Sequence, residues 1–81
     1  MGIKCVRCLE LFADLALRVG ENEFRWALKI LDELIAEGCL QDAEEVIGDL
    51  RYNLRTGHRS RAEDTIMHEL PIYLGKVCQK E

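Results

Sequence analysis

Three glycines, Gly20, Gly38 and Gly57, cut this chain into four segments, and within each segment the apolar residues return every three or four positions. That period belongs to helices with one buried face, and glycine between such segments ends one helix and turns the chain toward the next. β-branched residues are few and scattered, whereas Leu, Ala, Glu and Arg, all helix formers, dominate. The chain has 81 residues, room for one domain and one core, so residues 1–81 are read as a single helical domain. The expected fold is all-α: a small up-down bundle of about four helices, its last helix kinked at Pro71.

The first helix spans about Ile3 to Val19. Val6, Leu9, Phe12, Ala13 and Ala16 form one apolar stripe, and Cys8, Leu11 and Leu15 form a second beside it. The second helix spans about Asn22 to Glu37. Asn22 is its expected N-cap, and Phe24, Ala27, Leu28, Leu31, Leu34 and Ile35 are its core stripe, which Trp26 and Ile30 widen. Asp42 and Glu45 have capping-box spacing at the start of the third helix, as do Ser60 and Glu63 at the start of the fourth. Gly48 falls inside the third helix, where it is read as a point of close helix–helix approach. In the fourth helix the apolar residues stay in phase across Pro71, from Ala62 to Cys78.

Net charge is −4 but unevenly spread. Residues 21–50 carry nine acids against Arg25 and Lys29, and residues 51–62 carry Arg51, Arg55, Arg59 and Arg61 with no acid. One side should therefore be acidic and one tip basic. Since apolar residues occupy the inward positions of the second and third helices, the acids must face outward. Glu37, Asp42, Glu44, Glu45 and Asp49, with Trp26 and Ile30 beside them, form the expected partner-binding surface, suited to a basic protein. The alternative is a nucleic-acid-binding regulator whose contacts are Arg51, Arg55, Arg59 and Arg61. A helix-turn-helix in this region would aim Asp42, Glu44 and Glu45 at phosphates, which is electrostatically unfavourable. The two apolar stripes of the first helix exceed what one small core needs, so Cys8, Leu11, Leu15, Trp26 and Ile30 are expected to support a homodimer.

The stretch from Leu34 to Leu50, with Gly38, Leu40 and Ala43 at its turn, resembles the middle of a tetratricopeptide repeat, over roughly residues 27–50. Leu31 stands where that family has a small residue. The resemblance implies a protein-binding helical hairpin and no chemistry.

No nucleophile–base set, phosphate-binding glycine loop or paired-carboxylate site stands out, and the chain is read as a non-enzymatic adaptor, regulator or inhibitor with no cofactor. Cys5-x-x-Cys8 lacks a second ligand pair at zinc spacing, so the two cysteines are expected to pack rather than to bind metal. No run approaches the ~20 apolar residues of a membrane span, and Arg7, Glu10 and Asp14 interrupt any secretory signal at the start. The expected location is cytoplasmic, with the four cysteines as free thiols and no membrane partner.

Overall fold

The computed structural model describes residues 2–80. It is all-α: α1 (Ile3–Gly20), α2 (Phe24–Ala36), α3 (Glu44–Arg55), α4 (Arg59–His68) and α5 (Leu70–Lys80). α4 and α5 are the two arms of one helix bent by 32°, so the architecture is the expected four-helix bundle with its kink. Pro71 lies in the first turn of α5, where its missing N–H removes a donor from the helix. Chain order is followed around the bundle. α1 packs on α2, α2 on α3 and α3 on α4, and both arms of the last helix close back on α1.

Three helices stop in the same way. The N–H of Asn22 reaches the Val19 carbonyl while that of Glu23 reaches Arg18; Gly38 and Cys39 reach Ile35 and Leu34 likewise. After α3, the His58 N–H bonds the Asn53 carbonyl at 2.8 Å. These are Schellman turns, which need a left-handed residue just past the helix. Gly38 (φ 77°) and Gly57 (φ 75°) supply it as expected. At the first turn it is Asn22 (φ 61°), and Gly20 is simply the last residue of α1.

This turn geometry overrides the expected caps. An N-cap residue holds an extended conformation while its side chain bonds the first turn. Asn22 and Asp42 are both left-handed instead, and α2 and α3 begin at Phe24 and Glu44 without a side-chain cap. Only residues 56–58 separate α3 from α4, which places Ser60 inside α4. Glu63, freed from a capping role, bridges to Arg59 at 3.3 Å.

Two disulfides correct the reading of the cysteines as free thiols. Cys5 is bonded to Cys78, and Cys8 to Cys39, with Cα separations of 4.9 and 5.6 Å, inside the span such a bridge can cross. They also decide which face of α1 is the core. Cys5 and Cys8 must point inward, and Leu11, Leu15 and Val19 follow at helical spacing, all five buried. The stripe through Val6 and Leu9 is thereby turned outward, leaving Ile3, Val6, Leu9 and Leu17 exposed. The face expected to be spare is the core, and half of the expected core face is spare.

Gly48 is also not a contact point. It is exposed, and nothing lies within 4 Å of where its Cβ would stand.

Two outcomes follow. A non-reducing peptide map should return only the Cys5–Cys78 and Cys8–Cys39 links, and Cys8→Ala with Cys39→Ala should lower unfolding free energy by about 2–5 kcal/mol, the usual cost of removing a disulfide from a small domain. Gly48→Ala should raise it by about 0.5–1 kcal/mol in urea titration, since an exposed helix-interior glycine carries a backbone-entropy cost and no contact opposes the methyl group.

Candidate interaction surface

The acidic residues singled out in the sequence lie on the surface around the α2–α3 turn and along α3. Glu37 is the residue after α2, Asp42 sits in the turn, Glu44 and Glu45 open α3, and Asp49 follows one turn on; all five are exposed. Glu44 and Glu45 face the positive end of the α3 dipole, which favours their charge. Among the described residues none of these five carboxylates joins an ion pair. The acids that do are Asp14, Glu23, Asp32, Glu33 and Glu63, while Asp64 lies 3.6 Å from the His68 ring.

The two apolar members divide. Ile30 is 3% exposed and belongs to the core with Leu31 and Leu34, so it is no part of a surface. The α1–α2 packing absorbs it, because α2 buries a face centred between Ala27 and Leu34 rather than at Phe24 and Ile35. Trp26 does lie open, at 48% exposure, flanked by the Arg18 guanidinium at 5.2 Å from its ring and the Lys29 ammonium at 5.4 Å. Such cation–π contacts cover the ring without burying it. Arg18 is further held by Asp14 and by Glu23. Its pKa is raised: partial desolvation acts against this and is outweighed by Glu23 and Asp14. Nearby, a hydrogen bond with the Glu23 carboxylate lifts the Glu21 pKa above the ordinary carboxylate value; desolvation and the Glu23 charge add to it, and Arg18 opposes it.

The basic tip is half neutralised from within. Arg51 bonds Asp32 at 2.9 Å and Arg59 bridges to Glu63, which leaves Arg55 and Arg61 outside any ion pair among the described residues. Arg61 lines a cleft between α3 and α4 in company with acids.

That cleft was not legible beforehand. It is an open hollow of about 540 Å³ lined by Asp49, Asn53, Ser60, Arg61, Asp64, Thr65 and Glu69. Asn53 and Thr65 are the two buried polar residues among the described residues, at 2% and 3% exposure. The Thr65 hydroxyl donates to the Arg61 carbonyl at 3.2 Å. The Asn53 carboxamide has no hydrogen-bond partner among the described residues; no wholly shut-off side-chain nitrogen or oxygen lacks one, so the amide opens onto the cleft. A polar residue at an inward helical position was the available signal: Asn53 lies three residues after Leu50, next to Leu54, on the buried side of α3.

Among the described residues no group of three or more His, Cys, Asp or Glu side chains is arranged to hold a metal ion, and the sulfurs of Cys5 and Cys8 are committed to disulfides. No described helix is long and apolar enough to cross a membrane. No protein-family model matches the chain, and neither a curated protein nor a solved structure is significantly similar to it.

Proposed function

We propose that this chain is a non-enzymatic protein-interaction module that engages a basic protein partner through the acidic surface of the α2–α3 turn and α3. The observation that carries the reading is the contrast in compensation. Glu37, Asp42, Glu44, Glu45 and Asp49 are exposed and outside any ion pair among the described residues, while two of the four tip arginines are spent on internal bridges. Uncompensated carboxylates on a rigid bundle create a negative field that attracts a cationic surface and repels nucleic-acid phosphates. This favours a basic protein over the nucleic-acid-binding alternative through Arg51, Arg55, Arg59 and Arg61. The resemblance of residues 27–50 to a tetratricopeptide hairpin points the same way, toward protein binding. The role is then that of an adaptor, regulator or inhibitor.

A cytoplasmic setting drew its support from free thiols. Two disulfides in an 81-residue chain favour an oxidising compartment instead, where such bonds persist.

A second surface supports self-association. The outward face of α1 exposes Ile3 (90%), Val6 (40%), Leu9 (38%) and Leu17 (54%) in one helical stripe. Contiguous apolar surface of this kind marks an interface. It replaces Cys8, Leu11, Leu15 and Ile30 as the face on which a homodimer would form, since those four are interior.

The charge reading is tested with a twelve-residue Lys/Arg peptide and a 20-base-pair DNA duplex. The peptide should bind and weaken as salt rises, and Glu44→Gln with Glu45→Gln should reduce its affinity about three- to tenfold with helicity unchanged, as exposed charge contacts act mainly on association rate. Tight DNA binding abolished by Arg55→Glu with Arg61→Glu would instead establish the nucleic-acid alternative. For self-association, sedimentation equilibrium should show a concentration-dependent dimer that Val6→Glu with Leu17→Glu converts to monomer; an unchanged monomer across concentration would remove the dimer.

A further inference from the structure

We propose that the cleft between α3 and α4 is a receptor for a single arginine side chain of the partner. This deepens the basic-partner reading above and rests on it. Three carboxylates line the cleft, Asp49 from α3 and Asp64 and Glu69 from the α4 side, against the one cation Arg61. Acids alone would make only a wet surface. The floor is what distinguishes the cleft. Asn53, 98% shielded from solvent, offers there a carboxamide that no described residue satisfies. The amide, flanked by the fully buried Leu50 and the 2%-exposed Leu54, has no protein partner among the described residues and is not sealed from solvent, so its bonds are made with whatever occupies the cleft. A ligand that reaches it takes the place of water there.

The chemistry of the acceptors selects the ligand. They are oxygens of three carboxylates, an amide and two hydroxyls, contributed by α3 and the α4 side. A compact ammonium carries three donors, all on one atom and with no fixed fork. A guanidinium carries five donors in a planar fork and can bond a wall carboxylate and the floor amide together. Charge-assisted bonds of this kind are about twice as strong as neutral ones. Asp64 is free to take part, since its contact with His68 is long, at 3.6 Å, and both groups are largely exposed. Asp49 belongs at once to the acidic surface and to the cleft, so the two are continuous. Arg61, at the rim, is a like charge that opposes the incoming side chain.

The test is a titration of the ¹⁵N-labelled, disulfide-intact protein with N-acetyl-arginine methylamide, with N-acetyl-lysine methylamide as comparator. The arginine probe should move the Asn53 side-chain amide resonance saturably, with the Asp49 and Asp64 backbone amides. Asp64→Asn should weaken binding about tenfold, and Arg61→Ala should tighten it two- to fivefold. Asn53→Ala should weaken binding about threefold. Should that variant fail to fold, the exposed Asp64→Asn and Arg61→Ala variants still decide the matter. An unmoved Asn53 resonance, equal shifts with both probes, or a response to Ca²⁺ in place of arginine overturns the proposal. If the arginine probe fails while the Lys/Arg peptide still binds and loses affinity through Glu44→Gln with Glu45→Gln, the cleft falls and the basic-partner reading stands. If neither binds, both fall.

Discussion

Cys5 and Cys8 lie one turn apart on α1, and each is bonded to a segment far away in sequence, Cys78 at the end of α5 and Cys39 just past α2. α1 is thereby clamped at its first turns between the second and last helices. A bundle of this size buries only about 60–65% of its unfolded surface and is marginal on hydrophobic burial alone. Cross-links over 73 and 31 residues remove much of the disorder of the unfolded chain, by roughly 3.5–4.5 kcal/mol each in the loop-entropy account. Against a total stability of about 0.05–0.15 kcal/mol per residue, either link is a large share.

The same clamp settles the orientation of α1, which its apolar pattern leaves open. That helix is apolar over most of its circumference, so period alone offers two stripes of comparable quality. Packing of α1 against α2, α4 and α5 could satisfy either. The covalent bonds choose the one through Cys5, Cys8, Leu11, Leu15 and Val19. This is why the helices, their order and the bend at Pro71 were legible from residue spacing, while the inward face of α1 and the exclusion of Ile30 from the surface were not. Disulfide pairing joins residues that no local pattern relates, and four cysteines permit three pairings.

Helix termini show the same division. Glycine at 38 and 57 announces a left-handed stop in plain terms, and the structure uses both. Asn22 and Asp42 were read as N-caps because Asn and Asp serve that role, yet the same short side chains also tolerate the left-handed region. At Asn22 the choice is made by the Schellman turn that ends α1. For the surface, the acidic positions follow directly from helical phase, since every inward position nearby is apolar. The α3–α4 cleft does not, because it is formed by two helices whose mutual orientation is set by the three-residue turn between them and by α1 behind them. Its floor residue, Asn53, was visible only as a polar break in an otherwise apolar stripe.

The bond between Cys5 and Cys78 closes residues 5–78 into a ring. The exposed turns at 21–23 and 56–58, and the exposed positions 37, 41 and 42 beside the buried Cys39 and Leu40, are where a protease would cut such a molecule. A single nick at any of them opens the ring at one place and releases nothing. Cutting at the first turn leaves both halves joined by two bridges, and cutting at the last leaves them joined by the Cys5–Cys78 bond. A nicked copy thus keeps all its parts, held at effective concentrations that favour re-docking of the severed helices. This is endurance obtained from topology rather than from a larger core.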